Sequence, residues 1–188
     1  MTTEATELLE LVKDIPSNYN DDTFEMFVKW IPTLPEGEFV AFGTGLGKAV
    51  VAIALLNPKL KITTIDTGAP YLSVGENINV YQKRILDPIA AHGLLGKIYF
   101  EVADSRTFPW DKPLVGLNID SGHSYELTKD EIIRWTPWVM KDGLIFFDDY
   151  LIERVGVKQA VDELVRSKPG EFEDLNIGGM EGVYRKLV

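Results

Sequence analysis

Pro113-Leu114-Val115-Gly116-Leu117-Asn118-Ile119-Asp120-Ser121-Gly122-His123-Ser124-Tyr125 is an apolar run that stops on a carboxylate, and Leu144-Ile145-Phe146-Phe147-Asp148-Asp149-Tyr150 repeats the pattern. A short, continuous apolar run of this kind suits a strand buried on both faces of a parallel sheet. In an open parallel sheet, ligands gather outside the carboxyl ends of the strands. Two neighbouring strands ending in this way bring Asp120, Asp148 and Asp149 around one small volume. Like charges held together need a cation or a shared proton to relieve them, and a hard divalent metal beside a bound substrate is the first expectation. Aspartate also caps helices and closes turns, so Asp148 and Asp149 equally suit a structural part.

Working outward, the remaining chain supplies alternating strands and helices. Residues 3–14 carry Leu8, Leu9, Leu11 and Val12 at helical spacing, and a second amphipathic helix starting near Asp22 carries Phe24, Phe27, Val28 and Ile31. This N-terminal helical segment, residues 1–36, is free to cover a pocket or the face of a homodimer. Residues 37–188 form the rest of what reads as one domain overall. Glu38-Phe39-Val40-Ala41-Phe42 is a strand, Gly43-Thr44-Gly45-Leu46-Gly47 a turn, and Lys48 to Leu56 a helix. Strand, glycine turn and helix together open a nucleotide-binding βαβ unit, in which the backbone can approach a ligand at the helix N-terminus. The next strand, Lys61 to Asp66, ends on an acid about 20 residues on, where a ribose-binding carboxylate is expected.

Two stricter motifs fail. A phosphate-binding loop needs glycine where Phe42 stands and Ser or Thr where Ala49 stands, and the dinucleotide fingerprint meets Lys48 or Val50 in place of its third small residue. A helix interrupted near Pro88, a third strand at 98–102 followed by Ala103-Asp104-Ser105, and a helix from Tyr125 to Met140 continue the alternation. A last helix spans 154–166. Phe172 to Ile177 and Val183 to Val188 read as a closing hairpin. The fold class is α/β: a doubly wound, mostly parallel sheet with a C-terminal antiparallel hairpin, its crevice between the first and fourth strands.

Composition narrows the chemistry. The chain has 188 residues, no cysteine, two histidines and a formal net charge of -10. Disulfides, thiolate metal sites and cysteine nucleophiles are excluded, and any metal is held mainly by oxygen, which points to magnesium, calcium or manganese. Net acidity argues against a nucleic-acid partner. No apolar run approaches the roughly 18 residues of a membrane span, and the acidic N-terminus is unlike a signal peptide, so a cytoplasmic protein is expected. His92, at a helix end, suits a capping part. Trp110, Trp135 and Trp138 suit packing.

Residues 38–166 resemble the class I S-adenosylmethionine-dependent methyltransferases, in the branch of macrocin O-methyltransferase and the cephalosporin-hydroxylase-like proteins. Ile119-Asp120-Ser121-Gly122-His123-Ser124-Tyr125-Glu126 is similar to that branch's I-D-G-D-H-S-Y-E, and Gly143 to Tyr150 to its G-G-x-I-x-x-D-D-Y. The resemblance implies a Rossmann-like fold and S-adenosylmethionine as cofactor. Gly43, Thr44 and Gly45 would lie at its methionine part, Asp66 at its ribose, Asp104 and Ser105 beside its adenine, and Asp120 in the same crevice. It also implies a magnesium ion on Asp120, Asp148 and Asp149. The sequence departs at Ala41, where the branch has an acid, and at Gly122, where it has a second aspartate. His123 is the nearest replacement as a base. The expected function is methylation of a small-molecule hydroxyl. The alternatives are a metal-independent methyltransferase on another nucleophile and a cofactor-binding protein of the same fold without catalysis.

Overall fold

The computed structural model describes residues 1–17, 21–151, 156–176 and 181–188. Its helices are α1 (Thr3–Leu11), α2 (Asp21–Trp30), α3 (Lys48–Leu56), α4 (Ala69–Leu72), α5 (Ile78–Ala91), α6 (Tyr125–Trp135) and α7 (Gly156–Val161). Its strands are β1 (Gly37–Phe42), β2 (Leu60–Asp66), β3 (Ile98–Val102), β4 (Leu114–Ile119), β5 (Val139–Phe147), β6 (Phe172–Asp174) and β7 (Gly182–Lys186). They form one sheet in the order β3-β2-β1-β4-β5-β7-β6. The first five strands run parallel, and β7 is antiparallel to both β5 and β6. The expected doubly wound sheet with its antiparallel hairpin is present. The last strand lies inside the sheet, between β5 and β6, and not at its edge.

Side chains alternate between the two faces because a strand has period two. Phe39 and Ala41 pack under α1, α2, α3 and α5, whereas Val40 and Phe42 pack with α6 and α7. The strand order reverses beside β1, which pairs with β2 on one side and β4 on the other. Topology places the ligand crevice there. The N-terminal helices contribute Leu8, Val12, Phe24, Phe27 and Ile31 to the first core. A buried amide secures their exit, since Asn57 Nδ2 donates to the carbonyls of Ile31 (3.1 Å) and Leu34 (3.0 Å). Asn57→Leu leaves both carbonyls without that donor, and is expected to lower unfolding free energy by about 2 kcal/mol. A urea midpoint equal to wild type would refute this.

Two boundaries differ from expectation. Pro88 lies inside α5 without breaking it. It stands in the last turn, and His92 caps the end, its Nδ1 bonded to Pro88 O (2.8 Å) and its Nε2 to Leu11 O (3.0 Å). Pro137 does act as a stop, for α6 ends at Trp135 in a short 3₁₀ turn over Thr136–Trp138, and β5 begins at Val139. The final helix is described from Gly156, and it closes in a π turn over Asp162–Arg166. Residues 154 and 155 of the expected helix, and Ile177 of the expected hairpin, lie outside the described residues. Among the described residues no helix is long and apolar enough to cross a membrane.

Candidate active site

The crevice is built from the ends of β1, β2, β4 and β5. Gly43 continues β1 by donating its N–H to Ile65 O (3.1 Å), and Asp148 continues β5 by donating to Ile119 O (3.1 Å). At Gly43, φ is +72°, and a Cβ there would stand 1.6 Å from the Asp120 carbonyl oxygen. The backbones of β1 and β4 touch at this point, so only glycine fits. The turn closes with Gly47 N–H donating to Thr44 O (2.8 Å), while the buried Thr44 and Thr64 hydroxyls share a hydrogen bond of 2.7 Å. Asp66 ends β2 and receives the N–H groups of Gly68 (2.6 Å) and Gly45 (3.3 Å). Glycine turn and β2 acid are thereby one unit.

On the other side of the reversal, ligand atoms of Asp120, His123 and Asp148 all lie within 4.8 Å of one another. That spacing and chemistry suit one small cation, with two carboxylates and one imidazole as donors. Asp149 is not in this cluster. Its carboxylate lies 3.5 Å from His123 Nδ1, and its backbone is left-handed, with φ +56°. Burial, then the charge of Asp148, raises its carboxyl above the usual range, while His123 opposes the shift. The turn holding His123 is braced by α7, since Gly156 N–H donates to His123 O (2.7 Å). Ser124 caps α6, accepting from Leu127 N–H (3.4 Å).

No protein-family model and no curated protein sequence matches the chain. Solved structures do match along its length. CalS11, a TDP-rhamnose 3′-O-methyltransferase of calicheamicin biosynthesis, superposes with a TM-score of 0.68 at 16% identity, over 97% of this chain and 92% of that one. The O-methyltransferase NovP gives 0.65 at 20% identity, over 98% and 79%. TomG, an O-methyltransferase from Streptomyces achromogenes involved in tomaymycin synthesis, seen in complex with its SAM ligand, gives 0.65 at 10% identity, over 100% and 91%. The chain has the Rossmann-like methyltransferase fold.

Within the methyltransferase fold, three further residues stand at the crevice that the sequence did not single out. Glu181, just before β7, is buried and accepts from the Thr23 hydroxyl of α2 (2.8 Å). Burial, and then the neighbouring Asp148 carboxylate, pushes its carboxyl well above the ordinary range. The buried Tyr81 hydroxyl makes no hydrogen bond of good geometry and lies beside Asp66; burial and that carboxylate hold the phenol far above its usual range. Glu131 of α6 is fully buried, and its carboxyl is pushed up to about 7, chiefly by burial, against the opposing effect of the Ser105 and Ser121 hydroxyls. The signal for Glu131 was available, because it falls on the buried stripe Thr128, Glu131, Ile132 and Trp135. Nothing in the letters around Glu181 distinguishes it from a turn residue. Of the two residues expected beside adenine, Asp104 accepts from Arg106 Nε (3.0 Å) and Nη2 (2.6 Å), while Ser105 is buried with its hydroxyl turned to Glu131.

Proposed function

We propose that this chain is an S-adenosylmethionine-dependent methyltransferase acting on the hydroxyl of a small molecule, assisted by magnesium or a similar hard cation. The observation that carries the reading is the cluster of Asp120, His123 and Asp148 beside the glycine turn, at the reversal of a sheet with the methyltransferase fold. The turn fits the proposed cofactor: Gly45 has φ +54° and no neighbour within 4 Å of a would-be Cβ, so its backbone is open to a ligand. Asp66 would receive the ribose hydroxyls, and Gly43 to Gly45 would face the methionine part. Apolar Ala41, buried between the strands, offers no counter-charge to the cofactor's amino group, so that group must be held elsewhere.

The bound cofactor supplies an activated methyl group, and a cation on Asp120 and Asp148 supplies a fixed positive charge for a hydroxyl. What remains for the protein is alignment and one proton. His123 Nδ1 lies 3.5 Å from Asp149, which orients the ring; with the cation left to the two carboxylates, the imidazole would be the group placed to accept the proton. A base needs the neutral ring, and Asp149→Asn, which removes the orienting partner, is expected to lower turnover without abolishing cofactor binding.

The test is calorimetric titration with S-adenosylmethionine and S-adenosylhomocysteine, with and without magnesium. Both are expected to bind, more tightly with magnesium, and Asp148→Asn is expected to remove the magnesium effect while cofactor binding persists. Absence of binding under all conditions overturns the reading. Turnover retained in Asp148→Asn and Asp149→Asn would instead indicate a metal-independent enzyme.

A further inference from the structure

Helix α6 carries an acid where its buried stripe calls for an apolar residue. Glu131 Oε1 accepts from the Ser105 hydroxyl at 2.5 Å, and the Ser121 hydroxyl reaches Oε1 at 2.7 Å and Oε2 at 2.8 Å. Ser105 belongs to the loop that follows β3, and Ser121 to the turn that follows β4. The same helix grips the first loop twice more, through Trp135 Nε1 to Ser105 O (2.8 Å) and Arg134 Nη2 to Phe108 O (2.5 Å). Asp104 and Arg106, paired at 2.6 Å, are the charged groups of that loop acting on Glu131, with opposite signs.

A carboxylate removed from water is costly, and an apolar side chain of similar size would pack there with less penalty. Hydroxyl donors to a carboxylate make short, strong bonds, and two of them on one group tie their parent loops together. We propose that Glu131 is a positioning residue, a single buried acceptor that locks the Asp104–Ser105 loop and the Asp120–Ser121 turn to one another. It thereby fixes the wall of the crevice on the adenine side; the identity of that ligand rests on the function proposed above. Both segments hang on one carboxylate, so a change in its position is felt by both.

The experiment is amide hydrogen exchange on the full chain without ligand, paired with calorimetric titration of S-adenosylhomocysteine. Variants are Glu131→Ala, Glu131→Gln, Ser105→Ala, Ser121→Ala and the double serine variant. In Glu131→Ala, exchange at 104–108 and at 121–123 is expected to quicken together, by about tenfold, with a similar loss of affinity. Glu131→Gln keeps an acceptor and is expected to restore most of the protection. Each serine variant loosens both loops, and the two together do little more than one. Loosening of one loop alone, strictly additive serine effects, or unchanged exchange overturns the proposal. If Glu131→Ala does not fold, the serine cycle decides in its place. If the wild type binds no product while the loops still loosen together, the cofactor reading falls and the positioning role stands.

Discussion

Gly43→Ala is expected to destabilise the protein by more than about 3 kcal/mol and to close the crevice. Two penalties coincide. With φ at +72° the residue occupies the left-handed region, which costs an alanine about 1 kcal/mol or more. The added methyl would also meet backbone, at 1.6 Å from Asp120 O, 2.5 Å from Asp120 C and 3.1 Å from Ser121 Cα. None of these atoms can swing away as a side chain would. Relief requires parting β1 from β4 where Phe42 pairs with Ile119, at the centre of the sheet. Gly45→Ala provides the contrast: its φ is +54°, but its surroundings are open, so only the conformational cost applies. Urea unfolding of the three proteins separates the effects. A Gly43→Ala midpoint no lower than that of Gly45→Ala would show that the strand contact is not tight.

Stability is expected to fall as pH rises from about 5 to 8, opposite to the usual behaviour of a protein held by carboxylate ion pairs. Glu131 sets the sign. Its carboxyl, chiefly because of burial, titrates at about 7 in the folded chain, against a reference of 4.5. Between those values the folded state binds more protons than the unfolded one, so raising pH favours unfolding. Over the full window this amounts to about 3 kcal/mol. Glu181 and Asp149, both raised first by burial and next by Asp148, act in the same direction. Asp104, lowered by its hydrogen bonds with Arg106, stabilises above its unfolded pKa and loses that contribution only at more acidic pH. Denaturant unfolding at pH 5.5, 7 and 8.5 measures the slope, and Glu131→Gln should flatten it. A wild-type stability that rises steadily over this range would contradict the assignment.

The core βαβ unit and both carboxylate-ended strands were legible because their signals are local. Apolar runs of strand length, a glycine turn and a terminal acid each lie within a few residues, and the sheet brings them together in the expected order. The helix expected from Tyr125 to Met140 is shorter, because Pro137 ends α6 and β5 starts early at Val139. Pro88 leaves α5 unbroken, since it removes only its own N–H from the helix and the chain stays helical to Ala91. Glu181 was invisible for another reason. Its meaning depends on Thr23 and Asp148, which periodicity cannot connect to it. His123 was singled out as a base, but its nearness to Asp120 and Asp148 as well as Asp149 emerges only when the turn is folded back by Gly156.

The placement of β7 inside the sheet bears on how the protein comes into being during synthesis. Strand β5 waits for residues 182–186 before its second edge is covered, and β6 has no partner until the same strand arrives. The Thr23–Glu181 hydrogen bond joins positions 158 residues apart. Contacts of such separation form late and slow the search for the native state. A nascent chain still held at the ribosome would therefore carry the glycine turn and the aspartates on an unfinished sheet, with one edge of β5 bare.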